Sequence, residues 1–97
     1  MPYIKKDARL KLDLLTEMLE SNIENVGELN YVITRLAVRH LIGMGLSYQN
    51  ISTVYGTLQL AAAEFWQRLV VPYEKRKCFE NGDVPELENI FDKPTNL

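Results

Sequence analysis

Two groups of side chains have the types and spacing to do chemistry. The first is acidic. Asp13, Glu17, Glu20 and Glu24 follow at steps of four, three and four. On one unbroken helix this spacing puts all four carboxylates on a single face. A ladder of carboxylates can hold Mg²⁺, which takes oxygen ligands and bridges to phosphate. The competing reading is the solvated back of an amphipathic helix, and it is the one expected here. The second group is basic. Arg35 and Arg39 stand one helical turn apart. Two guanidinium groups at that spacing make a fork for a phosphate or a carboxylate. The competing reading is a pair of salt bridges to the acidic ladder.

Three other features are weaker. His40 is the sole histidine. A general base needs a carboxylate to orient it, and none is close in sequence. Its place one turn after Leu36 predicts a packed, satisfied side chain. Cys78 follows Lys75, Arg76 and Lys77, whose charges would lower a thiol pKa. With no catalytic partner, it reads as a free surface thiol. One cysteine and one histidine are too few for a structural zinc site. Tyr3, Tyr31, Tyr48, Tyr55 and Tyr73 fall at element ends or helix edges. There they are expected to stitch helices together, each with apolar area and one hydrogen bond. No cofactor is expected, because no glycine-rich phosphate cradle occurs.

These residues need elements to hold them. The chain has 97 residues, enough for one domain with a modest core. Apolar residues at 46% and charged residues at 25% exclude wholesale disorder. A net charge of -2 provides no general attraction for nucleic acid or anionic membrane. The start, "MPYIKKDARLK", has no apolar run behind its charges, so no signal peptide is expected. No stretch reaches the length of a membrane span. These features predict a soluble, cytoplasmic protein.

Periodicity predicts three main helices. The first begins with Asp7 as N-cap, and its apolar stripe is Ala8, Leu12, Leu15, Leu19 and Ile23. Asn25 and Gly27 are expected to stop it. The second runs over 28–44. Leu29, Val32, Ile33, Leu36 and His40 form one face, while Tyr31, Val38 and Ile42 make a second apolar side. A helix apolar on two sides in so short a chain predicts an interface with another copy. Gly45 suits its C-cap, and Ser47 caps the third helix. That helix carries Ile51, Val54, Leu58, Ala62, Phe65 and Leu69 on a long stripe. Pro72 ends or kinks it and can open a short fourth helix, "PYEKRKCFE". Asn81-Gly82 is a turn. The expected architecture is all-α, with one domain over 1–84 and an extended tail over 85–97. Ile90 and Phe91 are the anchors with which that tail could dock.

Several segments, "MPYIKK", "GELNYVITRL", "LSYQNIS" with "VYG", "AAAEF", "PYEK" and "NGDV", form a pattern over residues 1 to 84. In this pattern the chain resembles a family of short phage, bacterial and archaeal proteins described as a domain of unknown function. The resemblance implies a phage or phage-exchanged gene, and it brings no assigned activity. It draws attention to Glu28, Asn30 and Tyr31, which carry much of the match and are not needed for a simple stripe.

The functional expectation is a non-enzymatic binding module, built as a small helical homo-oligomer through the helix at 28–44. It would bind a protein partner or a small phosphorylated ligand, with Glu28, Asn30, Tyr31, Arg35 and Arg39 as candidate ligand-binding residues. The alternative is a Mg²⁺-dependent hydrolase like the all-α nucleotide pyrophosphohydrolases, using Glu17 and Glu20. Those enzymes need a second Glu-x-x-Asp on a facing helix. This chain has no acidic residue between Glu28 and Glu64, and Glu64 is followed by Gln67 three residues later.

Overall fold

A computed structural model describes residues 4–91. The chain is all-α there, with no strand among the described residues. Helix α1 spans Lys6–Glu20, α2 Val26–Met44 and α3 Tyr48–Phe65. A π-helical turn, Trp66–Val70, leads into α4, Val71–Asn81. A single turn, α5, covers Pro85–Glu88. No helix among the described residues is long and apolar enough to cross a membrane.

The ends of α1 differ from expectation. Its N-cap is Lys5, and Asp7 lies inside the first turn. There the carboxylate is favoured by the positive end of the helix dipole. At the other end, Ser21 Oγ and Asn22 Nδ2 both donate to the carbonyl of Met18, at 2.7 and 2.9 Å. Side chains that take over a last-turn carbonyl stop the helix there. Ile23 and Glu24 therefore lie past the end of α1. The expected stripe and the expected carboxylate ladder each lose their last member.

Asn25 opens α2 instead of closing α1. Its Oδ1 accepts from the backbone N–H of Glu28 at 2.9 Å, and Glu28 Oε1 accepts from the N–H of Glu24 at 2.8 Å. This reciprocal arrangement is a variant of the capping box, and it starts α2 two residues before Glu28. Gly27 belongs to the first turn. A Cβ there would lie 3.3 Å from Asn25 Oδ1, so glycine leaves the cap its room.

The corner between α2 and α3 is tightly specified. Gly45 takes φ 107°, and its N–H reaches the carbonyls of Leu41 and Ile42. Only glycine adopts such a backbone without strain. Ser47 Oγ accepts from Asn50 N–H at 3.1 Å, as its capping role predicts. Asn50 then ties the two helices together. Its Nδ2 donates to the carbonyls of Gly45 and Met44, at 2.8 and 3.3 Å.

Pro72 stands at the second position of α4, where its missing N–H costs least. In a regular α register its ring would clash with the carbonyl four residues back, that of Arg68. The π turn resolves this. It widens the backbone just before Pro72, with Val71 N–H bonded to Trp66 five residues back. Gly82, at φ 87°, closes α4. Within the expected tail, α5 is helical and Phe91 is 88% exposed, so it anchors nothing in this chain. Residues 92–97 of that tail lie outside the described residues, as does Tyr3.

The chain divides after Ala61 into two units. In the first, none of α1, α2 and the body of α3 packs closely along another. The second holds the π turn, α4 and α5.

No described residue is buried. The expected core positions Leu15, Leu36, Ile51 and Leu69 are all exposed. Ile23, Val32, Ala37, Leu41 and Val54 reach only half-burial in the first unit. The expected helix-stitching tyrosines Tyr31, Tyr48, Tyr55 and Tyr73 are exposed as well. The accessible surface is 9101 Å². A folded monomer of 11.2 kDa shows about 5,700 Å².

Candidate functional site

Helix α2 positions the candidate binding residues, and its geometry separates them. Glu28 is committed to the cap described above, which is a structural task. Asn30 Oδ1 accepts from Thr34 Oγ1 at 3.2 Å, one turn along the same helix. It lines a hollow of about 380 Å³ with Val26, Leu29 and Ile33. The other three residues come together elsewhere. Tyr31, Arg35 and Arg39 follow at steps of four and line a hollow of about 290 Å³ with Leu19, Val32 and Leu36. Helical spacing gathers the α2 residues, and Leu19 of α1 adds an apolar wall.

The electrostatics of this hollow follow from what the arginines do not contact. Arg35 lies 6.0 Å from the centre of the Tyr31 ring, where a guanidinium is drawn to the ring face. Neither Arg35 nor Arg39 has a carboxylate within 4.0 Å among the described residues. The expected salt bridges to the acidic ladder do not form there, because the carboxylates of α1 do not reach the Arg35–Arg39 side of α2. Two unneutralised guanidinium groups beside an aromatic ring and an apolar wall suit a ligand with an anionic end and a flat or apolar body.

The acidic residues of α1 do not make a site within this chain. Asp13, Glu17 and Glu20 are all exposed on α1, and Glu24 is outside it. Among the described residues no three acidic, histidine or cysteine side chains group closely enough to hold a metal ion. His40 is exposed, contrary to its expected packing. It lines an apolar cleft between α2 and α3 of about 510 Å³.

Two cations of the basic run after Pro72 share one carboxylate. Arg76 and Lys77 both pair with Glu80, at 3.5 and 3.3 Å, and Lys77 also lies 5.7 Å from the Tyr73 ring centre. Those cations therefore do not act on the nearby thiol as expected. The Cys78 pKa is raised, first by loss of hydration, then by the charge and hydrogen bond of Asp83 and the charge of Glu88. A thiol with a raised pKa is mostly protonated at neutral pH and reacts slowly. Alkylation of Cys78 by iodoacetamide at pH 8 is expected to run several-fold slower than that of a cysteine in a short peptide. Asp83→Asn removes a negative charge, lowers the thiol pKa and should speed the reaction. A native rate equal to the peptide's would contradict this picture.

One signal in the sequence pointed further than periodicity did. No Asp, Glu, Lys or Arg occurs from Tyr48 to Ala63. A helix uncharged on every side is a buried helix. Here α3 carries Ile51, Tyr55 and Leu60 in the open, at 45%, 61% and 56% exposure.

The family described as "Domain of unknown function (DUF6899)" has a model that matches residues 1–84. No curated protein and no solved structure matches the chain.

Proposed function

The chain belongs to the DUF6899 family, and we propose that it works as a non-enzymatic binding module assembled from identical chains. One observation carries the reading. No described residue is buried, and the chain exposes 9101 Å², about 3,400 Å² more than a folded monomer of its mass. Surface of that extent is in the range that obligate partners bury between them. At about 25 cal/mol per Å² of apolar area, leaving it in water forfeits several tens of kcal/mol. A domain's net stability is only about 5–15 kcal/mol. Helices α1 to α3 therefore need a partner that is always present, and a second copy meets that need. Helix α2, with Tyr31, Val38 and Ile42 exposed on its second side, supplies part of the contact.

The hollow at Tyr31, Arg35 and Arg39 is where such a module would take a small phosphorylated ligand. The arginines supply charge-assisted donors, and the tyrosine a stacking face. Native mass spectrometry of gently purified protein tests both parts. A single oligomer with an added small-molecule mass is expected. Arg35→Ala with Arg39→Ala should keep the oligomer and lose the added mass. Each charge-assisted bond is worth about 1.5–3 kcal/mol, so the double variant should bind roughly a hundredfold more weakly or worse. A bare monomer would remove the assembly. Full ligand occupancy in the double variant would remove this site.

A further inference from the structure

An apolar cleft of about 510 Å³ lies between α2 and α3 in the first unit. Ile33, Leu36, Met44, Val54 and Leu58 line it, with His40 at its edge. A second hollow of about 230 Å³ lies between the same two helices and shares Ile33, Ala37, Val54 and Leu58 with the first. Neither lining contains a carboxylate, a lysine or an arginine. Half-burial of Ala37 and Val54 marks the seam where the two helices approach. Everything around that seam is uncovered.

What covers it must satisfy two conditions. It must be present whenever the chain is folded, because the uncovered surface exceeds what a monomer can sustain. It must also be free of charge, since a charged side chain pressed against this lining would lose its hydration without a partner. Within the chain, α1 has only the narrow stripe of Ala8, Leu12, Leu15 and Leu19 to offer, flanked by charges on both sides. Lys6, Asp7, Arg9, Lys11 and Asp13 crowd its first half, and Glu17 and Glu20 its second. The α2–α3 pair meets the second condition, because α3 is uncharged from Tyr48 to Ala63 and α2 has no charge between Glu28 and Arg35.

We propose that the α2–α3 cleft is closed by the α2–α3 cleft of a second copy. The two faces meet about a two-fold axis, and four helices share one apolar interior. A self-complementary surface of this kind is the usual basis of a closed dimer. This rests on the homo-oligomer reading and adds to it the face that does the joining.

Thiol accessibility tests it in the full chain. In a Cys78→Ser background, Thr57→Cys places a near-isosteric thiol on the cleft lining. Lys11→Cys on α1 is the exposed control, and Thr53→Cys is the second cleft position should Thr57→Cys fail to fold. Maleimide labelling and sedimentation are followed over a range of protein concentration. The cleft thiol should be labelled about tenfold more slowly once the chain is assembled, while the control keeps its rate. Three results would overturn the proposal. An oligomer whose cleft thiol reacts as fast as the control leaves the assembly standing and removes this face from it. A folded monomer with a protected cleft thiol means that the same chain covers the cleft. A folded monomer at every concentration, with the thiol open, removes the homo-oligomer reading along with it.

Discussion

The unfolding midpoint of this protein should rise with protein concentration. With none of its described residues buried, the chain gains its apolar burial on association, so folding and assembly become one equilibrium. The size of the effect can be worked out for a dimer of 97-residue chains. At about 0.7 kcal/mol per residue, two chains unfold with an enthalpy near 135 kcal/mol. Mass action then moves the midpoint by roughly 7–8 °C for each hundredfold change in concentration. Circular dichroism over a dilution series measures this directly. At sufficient dilution the helical signal itself should fade, because helices of this length are marginal in water without a packed face. A midpoint that holds constant across the series, with helix content intact, would mean the chain folds alone.

The second large effect comes from placing a charge on α3. Leu58→Glu should abolish assembly. Leu58 lines both hollows between α2 and α3. Glutamate is a good helix former, so the change does not act through helix propensity. It acts by burying a carboxylate in a lining with no lysine or arginine to pair with. The penalty for an unpaired buried charge is about 3–5 kcal/mol. In a two-fold interface it is incurred once per copy, enough to weaken association by several orders of magnitude. Leu10→Glu on α1 is the control, since Leu10 is off the apolar stripe and 69% exposed. It should leave the sedimentation profile unchanged. If Leu58→Glu sediments as the native protein does, α3 faces water in the assembly and the lack of charge from Tyr48 to Ala63 needs another cause.

Much of the local structure was legible in the residues. Ser47 caps α3, Gly45 closes α2, Met44 ends it and Gly82 closes α4. Each of these depends on one side chain or one backbone torsion acting within a few residues, and such chemistry is written in sequence. The approach of Arg35 to Arg39 was legible for the same reason, since helical spacing alone puts them one turn apart on α2, whereas Tyr31 joining them was not read from that spacing. Where a local alternative competed, sequence reasoning chose wrongly. Asn25 could stop one helix or start the next, and the bond to Glu28 decided it. Pro72, by contrast, was left open between breaking a helix and beginning one, and the π turn before it allowed the second.

What lay beyond the sequence was how the helices meet. Periodicity marks an apolar face but not what that face touches. The stripes on α1, α2 and α3 were read as a core, yet in the chain they remain open to water. The same limit hid the role of Asn50, whose bonds to Met44 and Gly45 exist only once the corner has formed. It also hid the task of Glu28, whose carboxylate reaches back across the start of α2. The sequence determined by itself that the chain is helical, where α2 and α4 end, and that the stretch from Tyr48 to Ala63 carries no charge. Tertiary structure decided that the apolar faces do not close on one another. Burial depends on the distance and angle between elements, and no residue specifies these alone.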